Sequence, residues 1–345
     1  VISGFRLTSH NHLFLSFKPR LNTLTCFHFN RLASPNLKPV LLSNSVKSLM
    51  KYLCLLMLLS LNKIIAAQQI PIYSQFFMNK YVNNPAFAGV DKMFSVNSNH
   101  RYQWVGITDA PRTYTLSIDG PTKNLKNGIG AFLYTDHVGP TIRTGIQASY
   151  SYHLNLNEKT KLSLSLSGGV LEWKIDGHKL SLTDQNDPAL VDNIMRTLVP
   201  DAKFGFIIYG ENWHFGGAAP NLLQNKITFS NTTNNALNKL EDHYFIHSGY
   251  DFNLINEDLA VSPYFLLRYV SPSPIQAELG TKFEWKNAAW AGFNYRTGDA
   301  ASVLIGYTYK SNLSFGYSFD FTTSNLKNYS TGTHEILFRL LFNNK

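Results

Sequence analysis

Residues 312–321 read NLSFGYSFDF, and every second side chain is oily: Leu313, Phe315, Tyr317, Phe319 and Phe321 alternate with Asn312, Ser314, Gly316, Ser318 and Asp320. Successive side chains of an extended strand point to opposite faces, so this stretch is a strand with one apolar and one polar face. Similar two-period segments follow one another from residue 94 onward, separated by turn residues, without an amphipathic helix or a long apolar run. Two architectures accommodate such a chain. A soluble sandwich turns the oily faces into a protein core. A closed barrel turns them to lipid, and apart from helices only a closed barrel satisfies its backbone hydrogen bonds there.

The segments are fourteen: 94–103, 112–119, 128–136, 142–154, 161–174, 201–210, 212–218, 243–254, 259–270, 274–286, 289–296, 301–309, 312–321 and 333–343. An even number brings both ends of a barrel to the same side, and outer-membrane barrels keep short turns there and longer loops outside. The connections sort this way. The two longest, 175–200 and 219–242, fall on one face with 104–111 and 322–332, whereas Glu211-Asn212, 255–258, Asn287-Ala288 and Lys310-Ser311 make tight turns on the other. Aromatic residues form 14% of the chain, and Tyr102 with Trp104, Tyr150 with Tyr152, Trp285 with Trp290, and Tyr307 with Tyr309 are placed to supply interfacial girdles. The expected fold is therefore an all-β transmembrane antiparallel barrel of about 14 strands. Barrel strands carry a weak hydropathy signal, which agrees with the mean hydropathy of -0.14. The last segment, THEILFRLLFNNK, is apolar on one face through Ile336, Phe338, Leu340 and Phe342 and resembles a barrel targeting signal.

The net charge of +9 invites a nucleic-acid reading, but no Asp or Glu occurs before Asp91 and eight of the 31 basic residues precede residue 68. The remainder is nearly neutral, which removes the basic patch that a nucleic-acid partner requires. Both cysteines, Cys26 and Cys54, lie in the same leading stretch, so the rest of the chain has neither a disulfide framework nor a cysteine metal site. MKYLCLLMLLSLNKIIAAQQ, from Met50, has a positive start, an apolar core and a small-residue end before Gln68. We read 50–67 as a signal peptide, since the run is shorter than the roughly 20 residues a spanning helix needs. Residues 1–49 read as a start-site artefact or a disordered extension.

Local chemistry is sparse. The loop 175–200 carries Asp176, Asp184, Asn186, Asp187 and Asp192, but without the spacing and closing Glu of an EF-hand. His243 and His247 share a strand face roughly 13 Å apart, too far to chelate one ion. Ser248 and Ser318 are candidates for a barrel-hydrolase nucleophile only if a histidine stands beside one of them. Gly168-Gly169 precedes no helix and is expected to bend its strand rather than cradle a phosphate. Gly139-Pro140 reads as a tight exterior turn. Asn84-Pro85-Ala86 and Gly89 form a polar turn before the first strand; it either fills the lumen, meets a periplasmic partner, or simply leads into the barrel.

Several stretches resemble the PorP/SprF family of Bacteroidetes outer-membrane proteins: YSQFFMNKYVNNPAFAGV (73–90), RYQWVGI (101–107), APRTYTLSIDGP (110–121), DHVGPTIRTGIQASYSYHL (136–154), LSLSGGVLEWKIDGHKLSLTDQNDPAL (164–190), YRTGDAASVLIGYTYKSNLSFGYSFDF (295–321) and GTHEILF (332–338). The resemblance spans essentially 70–342. It implies a fourteen-stranded, non-enzymatic barrel without a cofactor, embedded in membrane lipid, with 68–93 as a periplasmic or plug segment and 94–343 as the barrel. Its partners would be components of the type IX secretion and gliding machinery, or an exported adhesin with a C-terminal sorting domain. The motif positions it marks as partner-binding are Asn84, Pro85, Ala86, Gly89, Arg101, Trp104, Gly139, Pro140, Asp184, Asp187 and Pro188. The competing readings are a passive porin or hydrophobic-compound transporter, and a barrel enzyme.

Overall fold

A computed structural model describes residues 70–179, 194–227, 238–254, 258–271 and 273–343. The expected signal peptide and the leader before it lie outside the described residues, as do Asp184, Asp187 and Pro188. Fourteen strands form the barrel, in chain order β1 Met93–Tyr102, β2 Arg112–Pro121, β3 Asn127–Val138, β4 Thr141–Asn155, β5 Lys161–Asp176, β6 Ile194–Tyr209 and β7 Trp213–Ala219. After them come β8 His243–Tyr250, resuming as Phe252–Leu254, then β9 Leu259–Val270, β10 Gln276–Trp285, β11 Ala289–Arg296, β12 Ala300–Tyr309, β13 Leu313–Thr322 and β14 Thr333–Asn343.

Each strand pairs antiparallel with the next, and β14 returns to β1 with Met93 opposite Asn343 and Tyr102 opposite His334. The ring is closed, since β8 is bonded to both β7 and β9. That decides between the two architectures. The oily faces receive no protein cover: Leu116 is 51% exposed, Ile146 54%, Ile305 56% and Leu279 63%. Burying such side chains is worth roughly 1.5–3 kcal/mol each, so a whole wall of them left bare requires hydrocarbon around it. Closure also removes every sheet edge, so the backbone is satisfied inside the membrane.

Many polar strand residues point inward and are buried, as in Ser95, Asn97, Asn99 and Arg101 of β1 and Ser163, Ser165 and Ser167 of β5. The opening stretch obeys the same parity, with Ser314, Ser318 and Asp320 inward and Phe315 packed on the facing Phe338 at 5.4 Å between ring centres.

Two expectations need correction. β6 starts at Ile194 rather than 201, because Ile194–Pro200 continues the ladder opposite Val170–Asp176. Trp290 does not join a girdle but points into the lumen, 4% exposed, since it shares parity with Gly292, Asn294 and Arg296. Trp104 lies, as expected, in the connection from β1 to β2, with φ 46° and its backbone N–H donated to Thr333 Oγ1 at 3.1 Å.

Long connections, after β1, β5, β7 and β13, share one end with the Gly139-Pro140 turn; by the rule for such barrels this end faces the cell exterior. There the loops after β1 and β13 are laced together, Val105 N–H donating to Gly332 O and Thr331 N–H to Val105 O, each at 2.8 Å.

Candidate functional site

The chain ahead of β1 lies inside the barrel. Ile70 to Ile72 sit at the exterior end against His243, Phe245 and Arg268. The path then descends to Gly89, which lies against Gly128 and His153 near the short-turn end. Between Ile72 and Ala88 every residue except Phe77 and Lys80 is buried. One helical turn, α1 Lys80–Asn83, leads into a 3-10 turn at Pro85–Phe87. Pro85 supplies the fixed φ of a first turn, and the Asn84 side chain caps it by accepting from Ala86 N–H at 2.9 Å. Gly89 adopts φ +77°, and a Cβ there would stand 2.6 Å from Gly128 Cα, so both the backbone and the space call for glycine.

On one side the segment meets charge. Arg101 bonds Asp320 at 2.8 Å and Glu335 at 3.0 Å, all three side chains being 1% exposed or less. Ser74 stands at the centre: its N–H donates to Glu335 (2.8 Å), its hydroxyl donates to Asp320 (2.7 Å), and that hydroxyl accepts from Arg101 (2.8 Å). The array continues through Arg296, which bonds Glu278 at 3.0 Å and Asp299 at 2.7 Å, to Arg268 on Glu278 at 2.9 Å. Asn294 donates to Ser74 O at 2.9 Å and the Tyr264 hydroxyl to Glu278 at 3.0 Å. Buried charges persist only when paired and hydrogen-bonded, and Ser74 supplies bonds that the wall alone lacks.

On the other side it meets small residues and hydroxyls. Asn84 donates to Phe206 O (3.1 Å) and Gly217 O (3.0 Å) and lies 2.9 Å from His247 Nε2. Ser163 donates to Ala86 O (2.8 Å), Ser151 to Ala88 O (2.6 Å) and Lys203 to Val82 O (3.0 Å). A Cβ on Gly128 would sit 1.9 Å from Ala88 O, and one on Gly205 2.1 Å from Asn84 Oδ1. These glycines let the turn lie directly against the wall.

What stays open is a vestibule of about 270 Å³ at the short-turn end, lined among others by Lys80, Asp91, Asp119, Asp251, Lys282 and Arg339.

Among the positions marked in the sequence, Asn84, Pro85, Ala86, Gly89 and Arg101 all lie in the lumen, Arg101 on the charged side and the other four on the small-residue side. Trp104, Gly139 (φ +58°) and Pro140 lie at the exterior rim, where Gly139 N–H donates to Asp109 O at 3.0 Å. His243 and His247 both face inward; the His247 ring packs on Phe87 and Phe76 at 5.1 and 5.7 Å between centres. Ser248 donates to the backbone of His214 at 2.8 Å, and the Ser318 hydroxyl is buried without a hydrogen-bond partner among the described residues. Among the described residues no group of His, Cys, Asp and Glu is close enough to hold a metal ion. Sequence reasoning missed Ser74, Glu278, Arg296, Asp320 and Glu335. Their signal was present in the last four: charges in the inward set of strands that otherwise carry Ser, Asn and Gly.

A closed antiparallel barrel with an oily exterior, exterior loops and a lumen filled by its own N-terminal segment defines a plugged outer-membrane barrel. The family model described as type IX secretion system membrane protein PorP/SprF matches residues 65–340, and the chain belongs to that family. It is accordingly a protein of the outer membrane. No curated protein matches the chain. Among solved structures it is similar to the Acinetobacter baumannii outer-membrane protein Omp33 (10% identity, TM-score 0.42, 74% of this chain and 99% of that one). It is also similar to the CymD monoaromatic hydrocarbon channel (12%, 0.44, 81% and 95%) and the KdgM porin (10%, 0.34, 72% and 99%). These likenesses are too distant to bear on function.

Proposed function

We propose that this barrel is a docking platform rather than a conduit: it fixes a component of the type IX machinery, or an exported surface protein with a C-terminal sorting domain, at the outer membrane. The observation that carries the reading is the filled lumen. Residues 72–88 occupy the interior and are bonded to the wall around the ring, from β1, β2, β13 and β14 through β4 to β6 and β8. The surfaces left for a partner are the two ends, namely the laced exterior loops and the charged short-turn vestibule. Membership of a secretion-system family supports the same direction.

The test is isolation of the intact protein from native membranes in mild detergent. Co-purification of a large exported protein or of periplasmic machinery is the expected result. Recovery of the barrel alone from native membranes would count against docking and return attention to a passive channel.

A further inference from the structure

The outer wall is not uniform. Going from β14 to β3, the outward residues next to the exterior rim are His334, Tyr102, Arg112 and His137, each paired with the next across the sheet. Their inward neighbours, Thr333, Arg101, Thr113 and Asp136, are buried. On the opposite wall the corresponding positions are Tyr244, Tyr269, Tyr295, Ala301 and Phe321, without a charge. Four residues deeper along each strand, Leu116 and Leu133 restore the oily surface. Arg112 therefore stands at the exterior rim, where hydrocarbon gives way to headgroups.

The loop between β1 and β2 bends over this row and encloses a cleft of about 440 Å³ whose floor includes Tyr102, Arg112 and His334 and whose roof includes Val105, Gly106 and Ile107. The roof is held by Gln103 N–H on Pro111 O (2.9 Å) and Val105 N–H on Gly332 O. Arg112 is exposed and bonds no acidic group among the described residues. His334 is held through Nδ1 by the Tyr317 hydroxyl at 2.7 Å, which leaves Nε2 directed elsewhere. The nearest outward carboxylate in the wall, Glu172, is on β5, two strands beyond His137.

We infer that this cleft binds the phosphate of a phosphorylated glycolipid of the outer leaflet, with Arg112 as the charge-assisted donor, His334 as a second donor and Tyr102 at the headgroup level. Charge complementarity selects the ligand. A guanidinium without a carboxylate partner, set among interfacial aromatics, matches a phosphate at the headgroup depth.

The full-length protein in neutral phosphatidylcholine nanodiscs, doped with diphosphoryl lipid A or with its fully dephosphorylated form, provides the test. Retained lipid is read by native mass spectrometry. We expect diphosphoryl lipid A to be retained, the dephosphorylated form not, and inorganic phosphate to fail as a competitor. Arg112→Gln should weaken retention about tenfold. Arg112→Lys should keep most of it, and Lys123→Gln, at the short-turn end, should change nothing; heat-modifiability on gels establishes that each variant is a folded barrel. Equal retention of both lipids, or full retention by folded Arg112→Gln, would overturn the inference. Displacement by inorganic phosphate alone would also overturn it, marking the cleft as a free-anion site.

Discussion

The two sides of the lumen hold one segment by different chemistry. Toward β9–β14 and β1, Ser74 and Gln75 are inserted among Arg101, Arg296, Asp320 and Glu335. Toward β3–β7, the turn Asn84–Gly89 lies on Gly128, Gly205 and a set of hydroxyls that reach its backbone carbonyls. The charged side is intolerant of losing a partner, because removing one member strands others in a dry interior. The small-residue side is intolerant of added volume, because the backbones are already in contact. One side is guarded by electrostatics and the other by space.

The largest loss is expected on the charged side. Arg101→Leu leaves Asp320 and Glu335 without their shared cation and should destabilise the barrel by ~3–5 kcal/mol, measured by urea unfolding in lipid vesicles. A matching loss of only a few tenths would mean that the array contributes nothing to holding the segment. Next is Gly128→Ala. The new methyl meets the Ala88 carbonyl, and the cost should be ~1–3 kcal/mol with displacement of the turn, seen as new protease cleavage within 84–89. Asn84→Ala removes the donor to Phe206 O and Gly217 O together with the cap on Ala86, for about 1–2 kcal/mol in the same unfolding assay. The smallest effect belongs to Tyr81→Phe. Its hydroxyl lies 2.8 Å from Ser149, but Ser149 also lies 2.8 Å from Ser167, so the loss should be about 0.5–1 kcal/mol.

Much of the wall was legible because its information is local. Parity over seven to sixteen residues locates every barrel strand and its two faces, and it also contains the correct answer for Trp290, whose strand reads Trp-Ala-Gly-Phe-Asn-Tyr-Arg from 290. Reading that residue as an interfacial aromatic by type, and not by position, was the source of the error. Its ring instead fills the space above Gly306 and Gly316 and meets Phe77 edge-on at 5.3 Å. The early start of β6 was hidden for a related reason. Its first seven residues sit beside an acidic, proline-containing stretch that reads as loop, and only pairing with β5 makes them a strand.

The segment inside the barrel was much less readable. Ser74 finds Asp320 and Glu335 at separations of 246 and 261 residues, and no periodicity encodes such contacts. Asn84-Pro85-Ala86 announces a turn through its residue types, yet the sequence left open whether that turn enters the lumen or faces the periplasm. The inward charges Arg101, Glu278, Arg296, Asp320 and Glu335 were visible as exceptions on Ser- and Asn-rich faces, and they were the available hint that something polar lies across from them.

The central claim is that the N-terminal segment closes the lumen, and ion conductance of the purified full-length protein in planar lipid bilayers tests it most directly. The account predicts no stepwise channel openings for the intact chain, with openings appearing once Arg101→Leu and Gly128→Ala together loosen the segment. Stable porin-like conductance from the unaltered protein would contradict it.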